Sequence, residues 1–261
     1  MEYLLQNKKA KKPIVALTSY DYCMTSWFKD LDIDIILVGD SLGMVSLGYS
    51  NTLPVTMDEM IMHAQSVARF THPAILVGDM PWMSYQGSKQ KTLNNASRFI
   101  KEAHMEGVKL EGGKEILSKV KFLVQSGIPV IGHLGLNPQK VLIYGGFKVQ
   151  GRDEKSKKYI LESALALEKA GVYAIVLECI PLDLAKEITH ALEIPTIGIG
   201  AGPYCDGQIL VTQDILGMVQ NKKPRFVKQY GEFAELAKQK LTAFIQDVRD
   251  HSFPEKNHSY E

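Results

Sequence analysis

Two stretches of the chain contain the same five residues, ILVGD, at Ile36–Asp40 and again at Ile75–Asp79. In each stretch an apolar run ends in a glycine followed by a carboxylate. A single aspartate after a strand usually begins a turn or caps a helix, and a buried strand has no other use for a charge at its end. If Asp40 and Asp79 occupy equivalent positions in a repeated architecture, their side chains converge on one bound group.

Further polar and titratable residues follow other apolar runs, namely Ser41, Lys109, Glu111, His133 and Glu178. His133 alone would also suit a satisfied, partly buried histidine. Several carboxylates at one rim, however, repel each other unless a cation or a shared proton neutralises them. Three carboxylates without clustered cysteine or histidine form an oxygen-donor set, which favours Mg²⁺ over zinc.

Such a set of residues predicts a particular kind of chemistry. A hard cation polarises a carbonyl and stabilises an enolate, and a carboxylate such as Glu178 can then act as the general base. Lys109 would offset an anionic group of the substrate. The residue types therefore predict a metal-assisted enzyme that abstracts a proton next to the carbonyl of a small oxygenated anion.

The elements that would position these residues are short apolar runs separated by helical patterns. Eight strands alternating with helices, each strand apolar throughout, indicate a parallel sheet covered on both faces. In about 250 residues this predicts a (β/α)8 TIM barrel, whose carboxyl strand ends all open on one face. The runner-up, a doubly wound open sheet, would usually carry a glycine-rich loop after its first strand, and "LTSYDY" has none. The predicted strands are Ile14–Thr18, Ile35–Val38, Ala74–Val77, Val108–Leu110, Pro129–Ile131, Ala174–Leu177, Thr196–Ile199 and Ile209–Val211.

Three segments between and after the strands carry recognisable signals. "TMDEMIMHAQSVARF" opens with Thr56 and Glu59 at the spacing of a capping box, and "KKYILESALALEKAG" ends at Gly171, a natural helix C-cap. "GEFAELAKQKLTAFIQDVRDH" has the pattern of a last amphipathic helix. The longest predicted loop, Leu136–Ser156, has three glycines and is predicted to be a mobile cover over the barrel mouth.

Composition narrows the remaining possibilities. The 261 residues have a net charge of +1 and only three widely spaced cysteines. This charge balance gives no nucleic-acid face, and the cysteines give neither a disulfide framework nor a zinc ribbon. With neither a signal peptide nor a membrane span expected, the sequence predicts a cytoplasmic protein. We expect one catalytic domain over residues 1–261, with N-terminal and C-terminal helical additions and a short flexible tail at about 252–261.

Long, ordered motifs then resemble one family. "LVGDSLGMV", "TLPVTMDEM", "VKLEGG", "GHLGLNPQ", "GGFKVQGR", "LECIP" and "IPTIGIGAG" are similar to those of the 3-methyl-2-oxobutanoate (ketopantoate) hydroxymethyltransferases. The resemblance runs from near Thr18 to the tail. It implies transfer of a one-carbon unit from 5,10-methylenetetrahydrofolate to 3-methyl-2-oxobutanoate, which gives 2-dehydropantoate for pantothenate synthesis. It also implies a homodecamer of two stacked pentamers.

The resemblance assigns roles residue by residue. It implies that Asp40, Asp79 and Glu111 bind Mg²⁺ and that Glu178 is the proton acceptor. The keto acid chelates the metal in this family, so its binding residues are Asp40, Ser41, Asp79, Lys109 and His133. The site that binds folate is not implied. One departure concerns His104 in "EAHMEG", which lies where the family tends to place a glycine, and this puts the local helix cap in question.

Two other functions remain as alternatives. The phosphoenolpyruvate mutase and isocitrate lyase group resembles this chain in barrel form, Mg²⁺ use and enolate chemistry, so a Mg²⁺-dependent carbon–carbon lyase or mutase acting on a 2-oxo acid is the nearest alternative. The "KKCGH" loop of those lyases does not occur here. A non-catalytic binding barrel would have no reason to keep both three metal carboxylates and Glu178.

Overall fold

The structure, a computed structural model, describes residues 2–219 and 223–260. Eight parallel strands close into a barrel in sequence order, with the first strand paired to both the second and the eighth. The strands are β1 Ile14–Thr18, β2 Ile35–Val38, β3 Ile75–Asp79, β4 Gly107–Glu111, β5 Val130–Gly135, β6 Ala174–Glu178, β7 Thr196–Ile199 and β8 Gly207–Leu210. The predicted TIM barrel is confirmed, and the open doubly wound sheet is excluded.

The α-helices are α1 Glu2–Lys9, α2 Tyr22–Ser26, α3 Leu42–Val45, α4 Met57–Ala68, α5 Lys89–Lys101, α6 Leu117–Gln125, α7 Val141–Tyr144, α8 Glu154–Lys169, α9 Leu182–Ala191, α10 Thr212–Leu216 and α11 Phe233–Arg249. Short 3-10 turns occupy Lys114–Ile116, Pro138–Lys140 and Lys256–His258. The capping box of α4 is present, with both reciprocal hydrogen bonds between Thr56 and Glu59. Gly171 follows α8 with a φ of +96°, a left-handed conformation that suits glycine.

All eight predicted strands are present, and their bounds differ mainly at the polar ends. The predicted strands stopped before the charges, whereas Asp79, Glu111 and Glu178 are the last residues of β3, β4 and β6. The last strand begins at Gly207, two residues before its predicted start. A Cβ at Gly207 would lie 2.4 Å from the carbonyl oxygen of Ile14 on β1, so the close approach of these strands requires a residue that an apolar pattern does not mark.

The lower part of the barrel is filled by alternate residues of the strands. Ile14 and Ala16, Ile35 and Leu37, and their equivalents on other strands form one buried cluster with Leu4 of α1. Leu4 is fully buried, and loss of such a side chain generally costs about 2–5 kcal/mol. The predicted N-terminal helix is therefore part of the core. Towards the carboxyl ends of the strands, polar and charged side chains replace the apolar ones.

The predicted cover segment, Leu136–Ser156, is partly helical. It contains the turn Pro138–Lys140 and the short helix α7, and α8 already begins at Glu154. Leu142 and Ile143 of α7 are 75% and 82% exposed, which is unusual for large apolar side chains. The mobility expected for this segment stays a prediction.

The chain divides into two compact units, the first ending at Val211 and the second beginning at Thr212. The first unit contains all eight strands. The second contains α10, the predicted amphipathic helix α11, and the segment from residue 252, whose described part includes a 3-10 turn. The single-domain prediction stays a prediction. Within residues 2–219 and 223–260 no helix is both long and apolar enough to cross a membrane, and all three cysteines are free thiols.

Candidate active site

The pairing of neighbouring strands brings the residues predicted to form the site to one end of the barrel. Asp79 on β3 is paired with Lys109 on β4, and Glu111 is paired with His133 on β5. Lys109 and Glu111 are two residues apart on one strand, so both side chains point to the same face. Asp40 directly follows Gly39 after β2. These five residues are all at least 96% buried.

The three carboxylates predicted as metal ligands meet at this end. One oxygen from each of Asp40, Asp79 and Glu111 lies within 4.8 Å of the corresponding oxygens of the other two. The backbone N–H of Asp40 donates to Oδ2 of Asp79 at 3.2 Å, which fixes the end of β2 against the end of β3. Such a cluster could hold a cation through oxygen atoms alone.

The charges of the cluster are not balanced by the side chains around it. Burial raises the pKa of Asp40 well above its usual range, and repulsion from Asp79 and Glu111 adds to this. Burial also raises the pKa of Asp79, despite its ion pair with Lys109. For Glu111 the effect of burial is outweighed by Lys109 and His133, so its pKa is lowered. Burial is thus the largest cause of both raised pKa values. An oxygen-donor set of this kind fits Mg²⁺.

Lys109 lies among the carboxylates. Its Nζ is 2.9 Å from Oδ1 of Asp79 and 3.5 Å from Oε1 of Glu111, and 3.2 Å from Nδ1 of His133. Burial alone would lower the pKa of Lys109, but the carboxylates outweigh it and raise the pKa. Lys109 is therefore expected to be positively charged and to neutralise part of the cluster. The sequence predicted its place on this rim but assigned its charge to an anionic group of the substrate.

His133 connects this cluster to the predicted base. Its Nδ1 lies 3.3 Å from Oε1 of Glu111, and its Nε2 lies 3.1 Å from Oε2 of Glu178. Burial and Lys109 lower the pKa of His133, but the two glutamates outweigh them and raise it to about 9. The Glu178 side chain is 15% exposed, so it is more accessible than the carboxylates beneath it.

Ser41 lies at the start of α3, next to Asp40. Its Oγ is 2.8 Å from the hydroxyl of Tyr20. Tyr20 is buried, and its carbonyl oxygen is 2.6 Å from Nδ1 of His63 on α4. The hydroxyl of Ser41 is thus held by the loop after β1, which sequence analysis had given no role.

Two further side chains at the site had no predicted role, Tyr85 and Gln139. The Tyr85 hydroxyl donates to Oε1 of Gln139 and is in contact with the backbone of Glu111. Gln139 donates to Asp40. Gln139 belongs to the motif "GHLGLNPQ", which could have indicated that Gln139 lies at the site. Nothing in the sequence around Tyr85 indicated that Tyr85 lies there.

Cys179 is buried, with 9% of its surface exposed, and has a φ of +47°. Its N–H donates to the carbonyl of Ile199, and its own carbonyl accepts from the N–H of Gln150 in the cover segment. A left-handed backbone is uncommon for a residue other than glycine. It lies directly after Glu178, so it sets the direction in which the chain leaves the predicted base.

Several solved structures have a fold similar to that of this chain. A phosphonopyruvate hydrolase, solved as a complex with oxalate and Mg²⁺, aligns with a TM-score of 0.62 at 12% identity over 98% of this chain and 92% of its own. A 2,3-dimethylmalate lyase of the phosphoenolpyruvate mutase and isocitrate lyase superfamily aligns with a TM-score of 0.60 at 14% identity over 99% and 90%. Identities this low show the fold alone, and they confirm the resemblance in barrel form.

Proteins related by sequence are much more similar to this chain than these solved structures are. An enzyme named 3-methyl-2-oxobutanoate hydroxymethyltransferase from Thermoanaerobacter sp. (strain X514) is 52% identical over 97% of this chain and 92% of its own. Its namesakes from Clostridium botulinum (strain Loch Maree / Type A3) and Syntrophomonas wolfei are 52% and 49% identical, each over 98% of this chain and 93% of its own. The family model described as ketopantoate hydroxymethyltransferase matches residues 1–256. The chain belongs to the ketopantoate hydroxymethyltransferase family.

Proposed function

We propose that this enzyme transfers the one-carbon unit of 5,10-methylenetetrahydrofolate to 3-methyl-2-oxobutanoate as a hydroxymethyl group, giving 2-dehydropantoate, with Mg²⁺ bound at the barrel mouth. Water supplies the hydroxyl oxygen, and tetrahydrofolate is released. The meeting of three buried carboxylates within 4.8 Å of one another carries the proposal. Membership of the family supports the reaction. The alternative of a lyase or mutase has only a similar fold in its favour.

Asp40, Asp79 and Glu111 would hold the cation. When bound, Mg²⁺ would polarise the ketone of the keto acid and so acidify the neighbouring C–H bond. The raised pKa values of Asp40 and Asp79 support this assignment, because a cation favours the ionised carboxylates. Magnesium usually keeps some positions for water and substrate oxygens, so Asp40 and Asp79 would contribute to binding the keto acid through the ion.

Three side chains around the ion would position the keto acid. The Ser41 hydroxyl, held by Tyr20, is available to a carboxylate or ketone oxygen. Lys109 supplies a positive charge to an anionic substrate and to the three carboxylates at once. His133, packed between Glu111 and Glu178, would lie beside the bound substrate.

Glu178 would accept the proton from C3 of the keto acid. It is the most exposed carboxylate of the group, and a base must reach its substrate. Nε2 of His133 lies 3.1 Å from Oε2 of Glu178, and the raised pKa of His133 favours an ion pair that would orient this carboxylate. A fixed carboxylate loses no freedom on binding the substrate, which favours proton transfer.

The proposal is tested by measuring the formation of product. Purified enzyme, given 3-methyl-2-oxobutanoate, 5,10-methylenetetrahydrofolate and Mg²⁺, should release 2-dehydropantoate, detected by mass spectrometry. Omitting either the folate or the ion should abolish the product. Formation of product after complete removal of divalent cations would contradict the role of the ion. Cleavage of the keto acid into smaller products would favour the alternative of a lyase.

The resemblance also supports a homodecamer and a cytoplasmic location, both of which we propose on that ground. Three free cysteines suit a reducing compartment. The mass of the native particle, measured by native mass spectrometry, tests the decamer, since ten copies of a 29.1 kDa chain differ clearly from two or five.

A further inference from the structure

Gln139 makes hydrogen bonds to two of the three carboxylates that form the proposed ion site. Its side-chain Nε2 donates to Oδ2 of Asp40 at 3.0 Å, and its backbone N–H donates to Oε2 of Glu111 at 3.1 Å. Gln139 is 5% exposed and lies on the turn Pro138–Lys140 after β5. One residue therefore connects the end of β2 to the end of β4 from outside both strands.

The rest of the Gln139 amide is satisfied as well. Nε2 also donates to the carbonyl of Met80 at 2.9 Å, and Oε1 accepts from the Tyr85 hydroxyl at 2.8 Å. Because Nε2 faces two acceptors and Oε1 faces a hydroxyl, this orientation of the amide satisfies the surrounding groups and the flipped one does not. A fully satisfied buried polar network favours a single arrangement.

Tyr85 stabilises the same arrangement of Gln139 and Glu111. It is 1% exposed, and its hydroxyl oxygen lies 2.9 Å from the carbonyl oxygen and 3.2 Å from the backbone nitrogen of Glu111. The hydroxyl thus fixes the last residue of β4 while contacting Gln139. Asp40, Glu111 and the residue after β3 are all held by the pair Tyr85 and Gln139.

We infer that Gln139 is a positioning residue of the ion site, which holds the Asp40 and Glu111 carboxylates together at the separation a cation requires. The inference rests on the proposed ion site. Like charges so close together repel each other and would move apart without directed donors. Each carboxylate has about four acceptor positions, so one bond from Gln139 leaves others for an ion. Partners of this kind typically contribute about 10- to 100-fold to metal affinity.

The test measures ion affinity without substrates. Gln139→Met keeps the length of the side chain and removes its donor and acceptor, while the backbone bond to Glu111 remains. Mg²⁺ affinity by titration calorimetry, and Mn²⁺ affinity and line shape by electron paramagnetic resonance, should show binding weakened by about 10- to 100-fold. The matched control is Gln90→Met on α5, an exposed glutamine whose amide bonds Asn94, and it should bind like wild type.

A merely structural glutamine would give a different result. It would lower the unfolding temperature of ion-free protein and leave the ion affinity of the folded protein unchanged. Affinity of folded Gln139→Met within about 2-fold of wild type, well short of the expected loss, would overturn the inference. If Gln139→Met does not fold, Tyr85→Phe is the deciding variant. It removes the hydroxyl that contacts both Oε1 of Gln139 and the backbone of Glu111, so it should also weaken ion binding.

The two proposals fail in distinguishable ways. Wild-type protein that binds neither Mg²⁺ nor Mn²⁺ would overturn the proposed ion site and the role of Gln139 together. Wild-type protein that binds the ion, combined with unchanged affinity in both variants, would overturn the role of Gln139 alone.

Discussion

The imidazole Nε2 of His133 lies 3.1 Å from Oε2 of Glu178. This contact joins the accessible carboxylate at the end of β6 to the buried cluster on β3 and β4. Because His133 also contacts Glu111, the proposed base and the proposed ion site share one side chain. The shared side chain therefore sets where the proposed base lies relative to the proposed ion site.

Replacing Asp40 by asparagine should separate ion binding from folding. The variant loses one of three charges that would bind Mg²⁺, so affinity in a calorimetric titration should fall by at least about 10-fold, or ~1.4 kcal/mol. The barrel should remain folded, because the neutral side chain removes a buried charge whose ionisation is unfavourable. The matched control is Asp183→Asn on the exposed start of α9. Unchanged Mg²⁺ affinity would remove Asp40 from the ion site.

The cover segment should become protected when substrate binds. Leu142 and Ile143 are 75% and 82% exposed, and closing over the barrel mouth would remove this apolar surface from water. Backbone amide exchange over residues 141–149 should slow in the presence of Mg²⁺ and 3-methyl-2-oxobutanoate, whereas exchange in α5 should not change. Equal exchange rates with and without the two ligands would show that the segment is not a cover.

Replacing His104 by glycine should stabilise the protein. His104 is exposed and has a φ of +53°, in the left-handed region that costs a residue with a Cβ about 1–2 kcal/mol. Part of this gain is lost because glycine is more flexible in the unfolded chain, so we expect about 0.5–1 kcal/mol from urea unfolding. Lys101→Gly, in the last turn of α5, should destabilise instead. Destabilisation by His104→Gly would show that its side chain makes contacts that outweigh the strain.

Glu115, whose side chain is 42% exposed, should make stability depend on pH. Burial raises its pKa, but hydrogen bonds from Lys140 and Tyr159 outweigh this and lower it. A lowered pKa gives stability that is present above the ordinary glutamate value of about 4.3 and is lost as the pH falls through the folded value. Unfolding temperatures of wild type and Glu115→Gln should therefore differ most at neutral pH and converge in acid. The matched control is Glu187→Gln, exposed on α9, which makes the same change of side chain and is measured at the same pH values.

The sequence alone was enough to predict the barrel and the residues at its mouth. The two ILVGD stretches placed Asp40 and Asp79 at equivalent strand ends, and a parallel barrel brings such ends together. Lys109 and Glu111 were predicted within β4 and at its end, and the structure shows both side chains on one face. These are local patterns combined with one rule of architecture.

Contacts between distant segments could not be predicted in this way. Gln139 reaches Asp40 across 99 positions of sequence, and only the path of the chain after β5 brings them together. The ion pairs of Lys109 depend equally on rotamers that no spacing reveals. By contrast, the doubt about the helix cap at His104 came from the sequence itself, and the structure shows a left-handed backbone there.

The central claim is that Glu178 removes the C3 proton of the keto acid, and exchange of that proton for solvent deuterium without folate measures this step directly. Glu178→Gln keeps the size of the side chain and removes its basicity. With Mg²⁺ bound and keto acid saturating, proton NMR should show exchange slowed by roughly 10²–10⁴-fold, the usual loss for a general base, while Mg²⁺ affinity is unchanged. Exchange at the wild-type rate in Glu178→Gln would contradict the account and assign the base to another group, with His133 the first to examine.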